Sequence, residues 1–254
     1  MSKSGWGKAD LHIHSAAGDG LASPAQILEY VEHETDLDLI AITDHDLMDG
    51  ALEARDLAAG RNYRFQVLVG MEVTTLEGHL LAYDLKRPIR MLQPLARTIR
   101  LVHEQGGFCV VPHPMSWLTR SIGRHGLMRI MASGQEGVYF DGIEVINPSF
   151  AGKIVYHKIL ALNQVLDLPE TAGSDSHTLD TIGTAYTLFQ GHTAAVFRRA
   201  LRTGATRAGG RFWSLEDHRR LASIAGQQVF KSWVILPGQH IKRALAVFLA
   251  ARTR

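Results

Sequence analysis

Two histidines stand at alternate positions near the start of the chain, His12 and His14 in the segment DLHIHS. In an extended strand, side chains two residues apart project from the same face, so the two imidazoles would lie side by side. Paired imidazoles suit a metal ion. The same spacing also fits polar side chains on the exposed edge of a sheet, and this hexapeptide alone leaves both interpretations open.

Further ionisable side chains stand at the ends of short apolar runs, in the segments AAGDG, TDHD, GMEV, PHP and GSDSH, and His79 begins another such run. Together they give nine candidate metal ligands: His12, His14, Asp19, His45, Glu72, His79, His113, Asp175 and His177. Imidazole and carboxylate ligands suit Zn, Mn or Fe. Nine groups exceed the coordination of one ion, which favours two or three divalent ions bridged by a carboxylate such as Glu72. Burying nine such groups without partners would be costly.

Seven apolar or β-branched runs are typical of strands: KADLHIH, DLIAIT, FQVLVGMEV, GHLLAYDL, GFCVVPHP, DGIEVIN and ETAGSD. Helical spacing lies between most of them, at residues 24–34 after a Ser23 N-cap and at 50–59, 92–105 and 152–166. This alternation predicts an α/β fold of parallel strands and crossover helices, either a barrel or a doubly wound sheet. In a parallel barrel the carboxyl ends of the strands meet at one mouth, which would bring the candidate ligands together.

In this order and at these strand ends, DLHIHS, TDHD, GMEV, PHP and GSDSH resemble the motifs of the PHP (polymerase and histidinol phosphatase) superfamily of metal-dependent phosphoesterases. The match runs from about residue 10 to residue 209. The resemblance implies a distorted seven-stranded TIM-like (β/α)7 barrel with up to three metal ions at its mouth.

The resemblance also assigns ligands to each ion. One ion would be held by His12, His14, Glu72 and Asp175. A second ion, bridged by Glu72, would be held by His79 and His113, of which His79 is the less closely matched to the motifs. A third ion would be bound by Asp19, His45 and His177. Asp44 would orient a ligand instead of binding metal.

The chemistry expected of this trinuclear site is attack on phosphorus by a metal-bridging hydroxide, with no protein nucleophile. Arg120, Arg124 and Lys153 are candidate phosphate-binding residues, although surface loops often carry such charges. Nucleoside-phosphate phosphatases of this type often carry an insertion between the third and fourth motifs, whereas a hairpin and one helix separate Glu72 from His113 here. The substrate predicted is therefore a small phosphate ester, such as that of a sugar or an amino-alcohol, or a phosphodiester.

Two other functions fit the same residues. The site could activate water against a carboxyl ester or a carbamate, or the domain could be a non-catalytic accessory PHP module of the kind attached to polymerases. The nearly complete ligand set argues against the accessory role. The remaining histidines, among them His33 and His103, fall outside the motif order and are interpreted mostly as surface residues.

The chain has 254 residues, of which 46% are hydrophobic and 20% charged, as in an ordinary globular protein. A formal net charge of +2 gives no reason to expect nucleic acid as an obligatory partner. The single cysteine, Cys109, is predicted to be a small buried hydrophobe. We see no secretory signal and no apolar run of about 20 residues, which predicts a cytoplasmic protein without a transmembrane segment.

Two domains are predicted. Residues 1–210 would form the PHP domain, and residues 211–254 a helical extension packed on that domain or on a partner. The extension contains helical patterns at 215–228 and 239–252, the second basic at first and then apolar. An amphipathic helix on a membrane surface would show the same pattern. The sequence leaves the oligomeric state open.

Overall fold

A sheet of nine strands forms the framework of the computed structural model, which describes residues 5–231 and residue 238. The strands are β1 (Trp6–Ile13), β2 (Leu39–Ile42), β3 (Gln66–Thr74), β4 (His79–Tyr83), β5 (Phe108–Val111), β6 (Gly142–Ile146), β7 (Glu170–Ala172), β8 (Ala185–Gln190) and β9 (Arg207–Gly210). Their spatial order is β7-β6-β5-β4-β3-β2-β1-β8-β9.

The sheet curls until its two ends almost meet, which gives the predicted barrel-like α/β fold. Beyond β7, Ser176 pairs in parallel with Ile13 at the end of β1. The amide of His14 donates to the Ser176 carbonyl at 2.8 Å, and the Ser176 amide donates to the His12 carbonyl at 3.3 Å. The barrel is therefore tied together at the point where the candidate ligands of β1 and β7 stand.

The predicted strand number of seven is wrong, because nine strands form. All seven runs identified in the sequence become β1 to β7, and two more strands follow them. β8 comes from the apolar stretch AYTLFQ and pairs antiparallel with the first half of β1, and β9 pairs antiparallel with β8. β9 is the four-residue segment RAGG, which is too short and too rich in glycine to show an alternating pattern.

β4 runs antiparallel to both of its neighbours, β3 and β5, and forms with β3 the hairpin expected between Glu72 and His113. The reason is the short turn after β3, in which the Gly78 amide donates to the Thr75 hydroxyl at 3.1 Å. Gly78 adopts a φ of +146°, and a Cβ atom there would lie 2.6 Å from the Ile122 amide nitrogen. The reversal puts the first residue of β4 at the same end of the barrel as the last residues of β3 and β5.

Residues 5–231 contain seven α-helices: α1 (Pro24–Glu34), α2 (Asp49–Ala59), α3 (Leu95–His103), α4 (Arg124–Met131), α5 (Phe150–Leu166), α6 (Ala194–Arg202) and α7 (Leu215–Phe230). α1 has its predicted bounds and begins with a capping box, in which the Ser23 hydroxyl accepts from the Gln26 amide and the Gln26 side chain accepts from the Ser23 amide. The helices predicted at 50–59, 92–105, 152–166 and 215–228 agree within a few residues, while α4 and α6 are additional. Among the helices described, none is long and apolar enough to cross a bilayer.

Apolar residues fill the interior of the barrel and the layer between its sheet and the outer helices. One cluster lies inside the barrel and is closed at the amino-terminal ends of the parallel strands by Phe189 and Phe197 of β8 and α6. Two others lie between the sheet and the outer helices, one beneath α1 and α2 and one beneath α3, α4 and α5. With these layers filled, the buried histidines and carboxylates of the candidate ligand set gather at the mouth of the barrel.

α7 contacts loops at the mouth. Arg220 lies 4.0 Å from Asp180, which follows β7, and the Lys231 ammonium group donates to the Gly20 carbonyl, which follows β1, at 2.7 Å. The described first part of the predicted extension therefore contacts loops at the mouth. The second helix predicted there, 239–252, lies outside the described residues.

Candidate metal centre

The nine candidate ligands meet at the mouth of the barrel. Their six imidazoles form one continuous group, with neighbouring ring centroids 4.2 to 5.8 Å apart. Three carboxylates, those of Asp19, Glu72 and Asp175, lie among the rings. Side chains separated by more than 160 positions in the sequence are thus brought into a single cluster.

The backbone departs from regular geometry where it presents these side chains. The pairing of β1 with β2 shifts register between Asp10 and Ile13, around His12, and such irregularities are common beside active sites, where they re-aim side chains. His113 and Asp175 adopt positive φ angles of 30° and 51°. This conformation is disfavoured for side chains with a Cβ and is often found at functional sites.

Four atoms surround one point at the centre of the cluster. The Nε2 atoms of His12 and His14 lie 3.4 Å from Glu72 Oε2, and 3.5 and 3.3 Å from Asp175 Oδ1. Four ligands held about 2.1 Å from a common centre in a tetrahedron are about 3.4 Å apart. These four nitrogen-to-oxygen separations match those between neighbouring ligands of a small divalent ion, and the ligand atoms of His12, His14 and Asp175 all lie within 4.8 Å of one another.

The second oxygen of Glu72 faces a different pair of histidines. Its Oε1 lies 2.9 Å from His79 Nδ1 and 3.0 Å from His113 Nε2. His79 reaches this position because β4 is antiparallel. The two oxygens of the fully buried Glu72 carboxylate therefore point into two adjacent ligand groups.

A third group surrounds Asp19. Its carboxylate lies 3.5 Å from His177 Nε2, 3.9 Å from His45 Nε2 and 3.6 Å from His14 Nδ1. The other ring nitrogen of His45 lies 3.0 Å from Glu72 Oε2. His45 and His14 therefore stand between the third group and the groups around Glu72.

Asp44 lies behind the ligands. Its two carboxylate oxygens accept from the amide and the hydroxyl of Ser15, each at 2.6 Å, which fixes the turn that follows His14. Arg120, Arg124 and Lys153 are exposed, and none forms a hydrogen bond or ion pair with the nine side chains among the contacts described for residues 5–231. Arg120 touches the site through its backbone, where its carbonyl accepts from the His79 amide at 2.7 Å.

Glu144 on β6 is a buried acid that the motifs do not reveal. Its Oε1 lies 3.0 Å from His12 Nδ1, and its Oε2 accepts from the His113 amide at 2.8 Å. A Cβ atom at Gly173 would lie 2.7 Å from Glu144 Oε1 and 2.5 Å from the His12 Cβ, so only glycine fits there. The signal available in the sequence is a charged residue in the middle of the apolar strand DGIEVIN.

Carboxylates and imidazoles shift each other's pKa values strongly in this cluster. Burial would raise the pKa of Glu72, but the surrounding imidazoles of His79, His45 and His12 hold it well below its usual range. Burial would lower the pKa of His45, yet the Glu72 and Asp19 carboxylates raise it to about 10. Burial and the neighbouring His177 lower the pKa of His14 to about 4. Protons on some rings thus supply positive charge beside anionic carboxylates.

Several atoms of the cluster are buried and make no hydrogen bond: His12 Nε2, both ring nitrogens of His14, Nδ1 of His45 and of His79, and Oε2 of Glu72. Leaving buried polar atoms without partners is unfavourable by about 1–3 kcal/mol for each group. All of them face the interior of the cluster. The donor types, their separations and these unsatisfied atoms fit divalent metal ions.

Residues 157–206 match a family model described as PHP-associated. The chain is 32% identical over 177 residues to an uncharacterised protein of Methanocaldococcus jannaschii, a match that spans 65% of this chain and 95% of that protein.

Two solved structures share the fold. The first is a two-domain protein of Bacteroides vulgatus that contains a predicted PHP-like metal-dependent phosphoesterase; it has a TM-score of 0.63 and 21% identity, over 81% of this chain and 65% of that protein. The chain thus spans less than two thirds of that protein. The second is the lesion-specific endonuclease Q of Pyrococcus furiosus, with a TM-score of 0.54 and 13% identity, over 85% of this chain and 66% of the other.

Proposed function

The chain belongs to the PHP superfamily, and we propose that it is a metal-dependent phosphoesterase that hydrolyses a small phosphate ester at the mouth of its barrel. The observation that carries this proposal is the position of Glu72, whose two oxygens face two adjacent groups of histidines. A carboxylate in that position is suited to bridging two ions.

The proposed ligands follow the three groups seen in the structure. His12, His14, Glu72 and Asp175 would hold one ion. Glu72, His79 and His113 would hold another, and Asp19, His45 and His177 a third. Divalent ions such as Mn, Zn or Fe would lower the pKa of a water ligand toward neutrality and neutralise charge on the phosphate oxygens.

The protein fixes which nitrogen of each key histidine faces the cluster. His12 Nδ1 is held by Glu144, His113 Nδ1 lies 2.9 Å from the Ser121 hydroxyl, and His177 Nδ1 lies 3.0 Å from the Asp175 carbonyl. In each case Nε2 is directed inward. Partners of this kind hold the ring orientation and set the tautomer that can bind metal.

Replacement of Glu144 by glutamine should weaken metal binding by about 10- to 100-fold. The carboxylate accepts at both oxygens, one facing His12 and one facing the His113 amide, whereas an amide offers one acceptor and turns a donor toward the other group. Isothermal titration with Mn²⁺ would measure the change. Glu53→Gln, on the exposed face of α2, is the matched control, and an unchanged dissociation constant in Glu144→Gln would remove the positioning role.

The reaction class is tested by assaying metal-loaded protein against phosphate monoesters, phosphodiesters, carboxyl esters, carbamates and a DNA duplex with an abasic site. We expect phosphate esters to be hydrolysed. Activity confined to carboxyl esters or carbamates would favour the alternative metallohydrolase, and cleavage confined to DNA would favour a nucleic-acid substrate. The absence of hydrolysis by fully loaded protein would favour an accessory role.

Substrate selectivity should be low. Between Glu72 and His113 the chain forms only the end of β3, β4, α3, β5 and their connections, so no inserted domain is present there to bind the rest of the substrate. In the proposal, Arg120, Arg124 and Lys153 attract phosphate by charge alone. Binding energy should therefore come mainly from the phosphate group, and kcat/KM for p-nitrophenyl phosphate and for a nucleoside monophosphate should agree within about tenfold. A preference for the nucleotide by several orders of magnitude would contradict this.

A further inference from the structure

We propose that His103, Cys109 and Asp141 form a second metal site, suited to Zn²⁺ or another divalent ion that favours thiolate, at the end of the barrel opposite the mouth. Cys109 is the second residue of β5, whose other end leads to His113. Asp141 directly precedes β6, and His103 ends α3. The end of α3 therefore meets the amino-terminal ends of the parallel strands β5 and β6, at the end of the barrel opposite the mouth.

The three donor atoms converge on one point. His103 Nε2 lies 2.9 Å from Asp141 Oδ2 and 4.0 Å from Cys109 Sγ, and one ligand atom from each residue lies within 4.8 Å of the others. Tetrahedral zinc, with bonds of about 2.0 to 2.3 Å, places its nitrogen, oxygen and sulfur ligands about 3.3 to 3.6 Å apart. Adjustments of about half an ångström would bring the two separations from His103 Nε2 to those values.

The arrangement is that of a ligand set and differs from a Cys-His-Asp catalytic triad. In a triad the carboxylate binds the nitrogen remote from the nucleophile. Here the thiol and the carboxylate both face Nε2 of His103, and Nδ1 lies 2.9 Å from the Gly137 carbonyl. A backbone carbonyl on Nδ1 is a common partner of metal-binding histidines, because it leaves Nε2 free to bind the ion.

The burial of the three side chains and a depression in the surface beside them also suit the binding of a metal ion. Cys109 is fully buried, while the His103 and Asp141 side chains are 11% and 13% exposed. A surface depression of about 660 Å³, lined by His103 and Gly137 among others, leads to the ring, and Tyr139 stacks on it with centroids 4.3 Å apart. His103 is therefore largely buried, contrary to its interpretation as a surface residue.

Charge balance favours a divalent ion. Binding of a divalent ion would release the thiol proton, and any proton between His103 and Asp141, to solvent. The resulting thiolate and carboxylate carry two negative charges, which match the two positive charges of the ion.

Cobalt titration of the full chain tests the site. Cys109 is the single cysteine, and the proposed ligands at the mouth contain no sulfur, so a thiolate-to-cobalt charge-transfer band reports on this site alone. We expect the band in the wild type and its removal by stoichiometric Zn²⁺. It should be absent in Cys109→Ser, lost in His103→Asn, which keeps the thiol, and retained in Glu72→Gln.

The thermal midpoint of each metal-free variant checks that it is folded. The proposal is overturned if the wild type shows no charge-transfer band at cobalt concentrations that saturate the mouth. It is also overturned if the band persists in folded His103→Asn and Asp141→Asn, because the thiolate would then bind cobalt without the partners assigned here.

Discussion

Glu72→Gln is expected to remove both metal and activity. The amide keeps the size of the side chain, but it cannot place an anionic oxygen in two ligand groups at once. Loss of the shared ligand should leave fewer than two ions bound per chain and lower kcat by about 1,000-fold, equivalent to about 4 kcal/mol of activation free energy. Elemental analysis and a phosphatase assay on the same sample would measure both effects.

The control for Glu72→Gln is Glu53→Gln, which makes the same chemical change at an exposed position. Circular dichroism and the thermal midpoint of the metal-free protein would separate loss of metal from loss of fold. If folded Glu72→Gln retains its metal and its turnover, the carboxylate does not bridge two ions and the assignment of ligands is wrong.

Metal binding should raise the thermal midpoint of the wild type by about 10 °C. A ligand present at 1,000 times its dissociation constant stabilises the folded state by about 4 kcal/mol, and each kcal/mol shifts the midpoint of a chain of this size by about 2 to 4 °C. Addition of Mn²⁺ to chelator-treated protein, followed by scanning calorimetry, would measure this shift. Glu72→Gln should show little of it.

The thermal shift should also grow with pH. The pKa of His45 is raised to about 10 in the metal-free cluster, so this ring is protonated at neutral pH and must lose its proton to bind an ion. Metal binding therefore releases protons and is favoured as the pH rises from 6 to 8. A shift that is constant, or larger at pH 6, would contradict the participation of the protonated histidines.

The cluster was largely predictable because its members belong to short motifs at strand ends, and strand ends converge in a barrel. The orientation of β4 was not predictable from the apolar pattern, because alternation carries no direction. Only the short turn from Thr75 to Gly78 shows that the strand reverses. His79 reaches the mouth through this reversal, at the start of a strand instead of at its end.

Residues that act through tertiary contacts were harder to find. Glu144 stands 132 positions from His12 in the sequence, and nothing local marks the pair until β1 and β6 lie on one barrel. Cys109 was correctly predicted to be buried. The proximity of His103 and Asp141 to Cys109 was not predictable from the sequence, because it arises only when α3 and the start of β6 pack beside β5.

Anomalous X-ray scattering from crystals of the full chain grown with Mn²⁺ would show whether Glu72 binds two ions. We expect two or three manganese peaks at the mouth. One would lie among His12, His14 and Asp175 and another beside His79 and His113, with Glu72 within bonding distance of both. No peak there, or a single peak with Glu72 bound to one ion alone, would contradict this expectation.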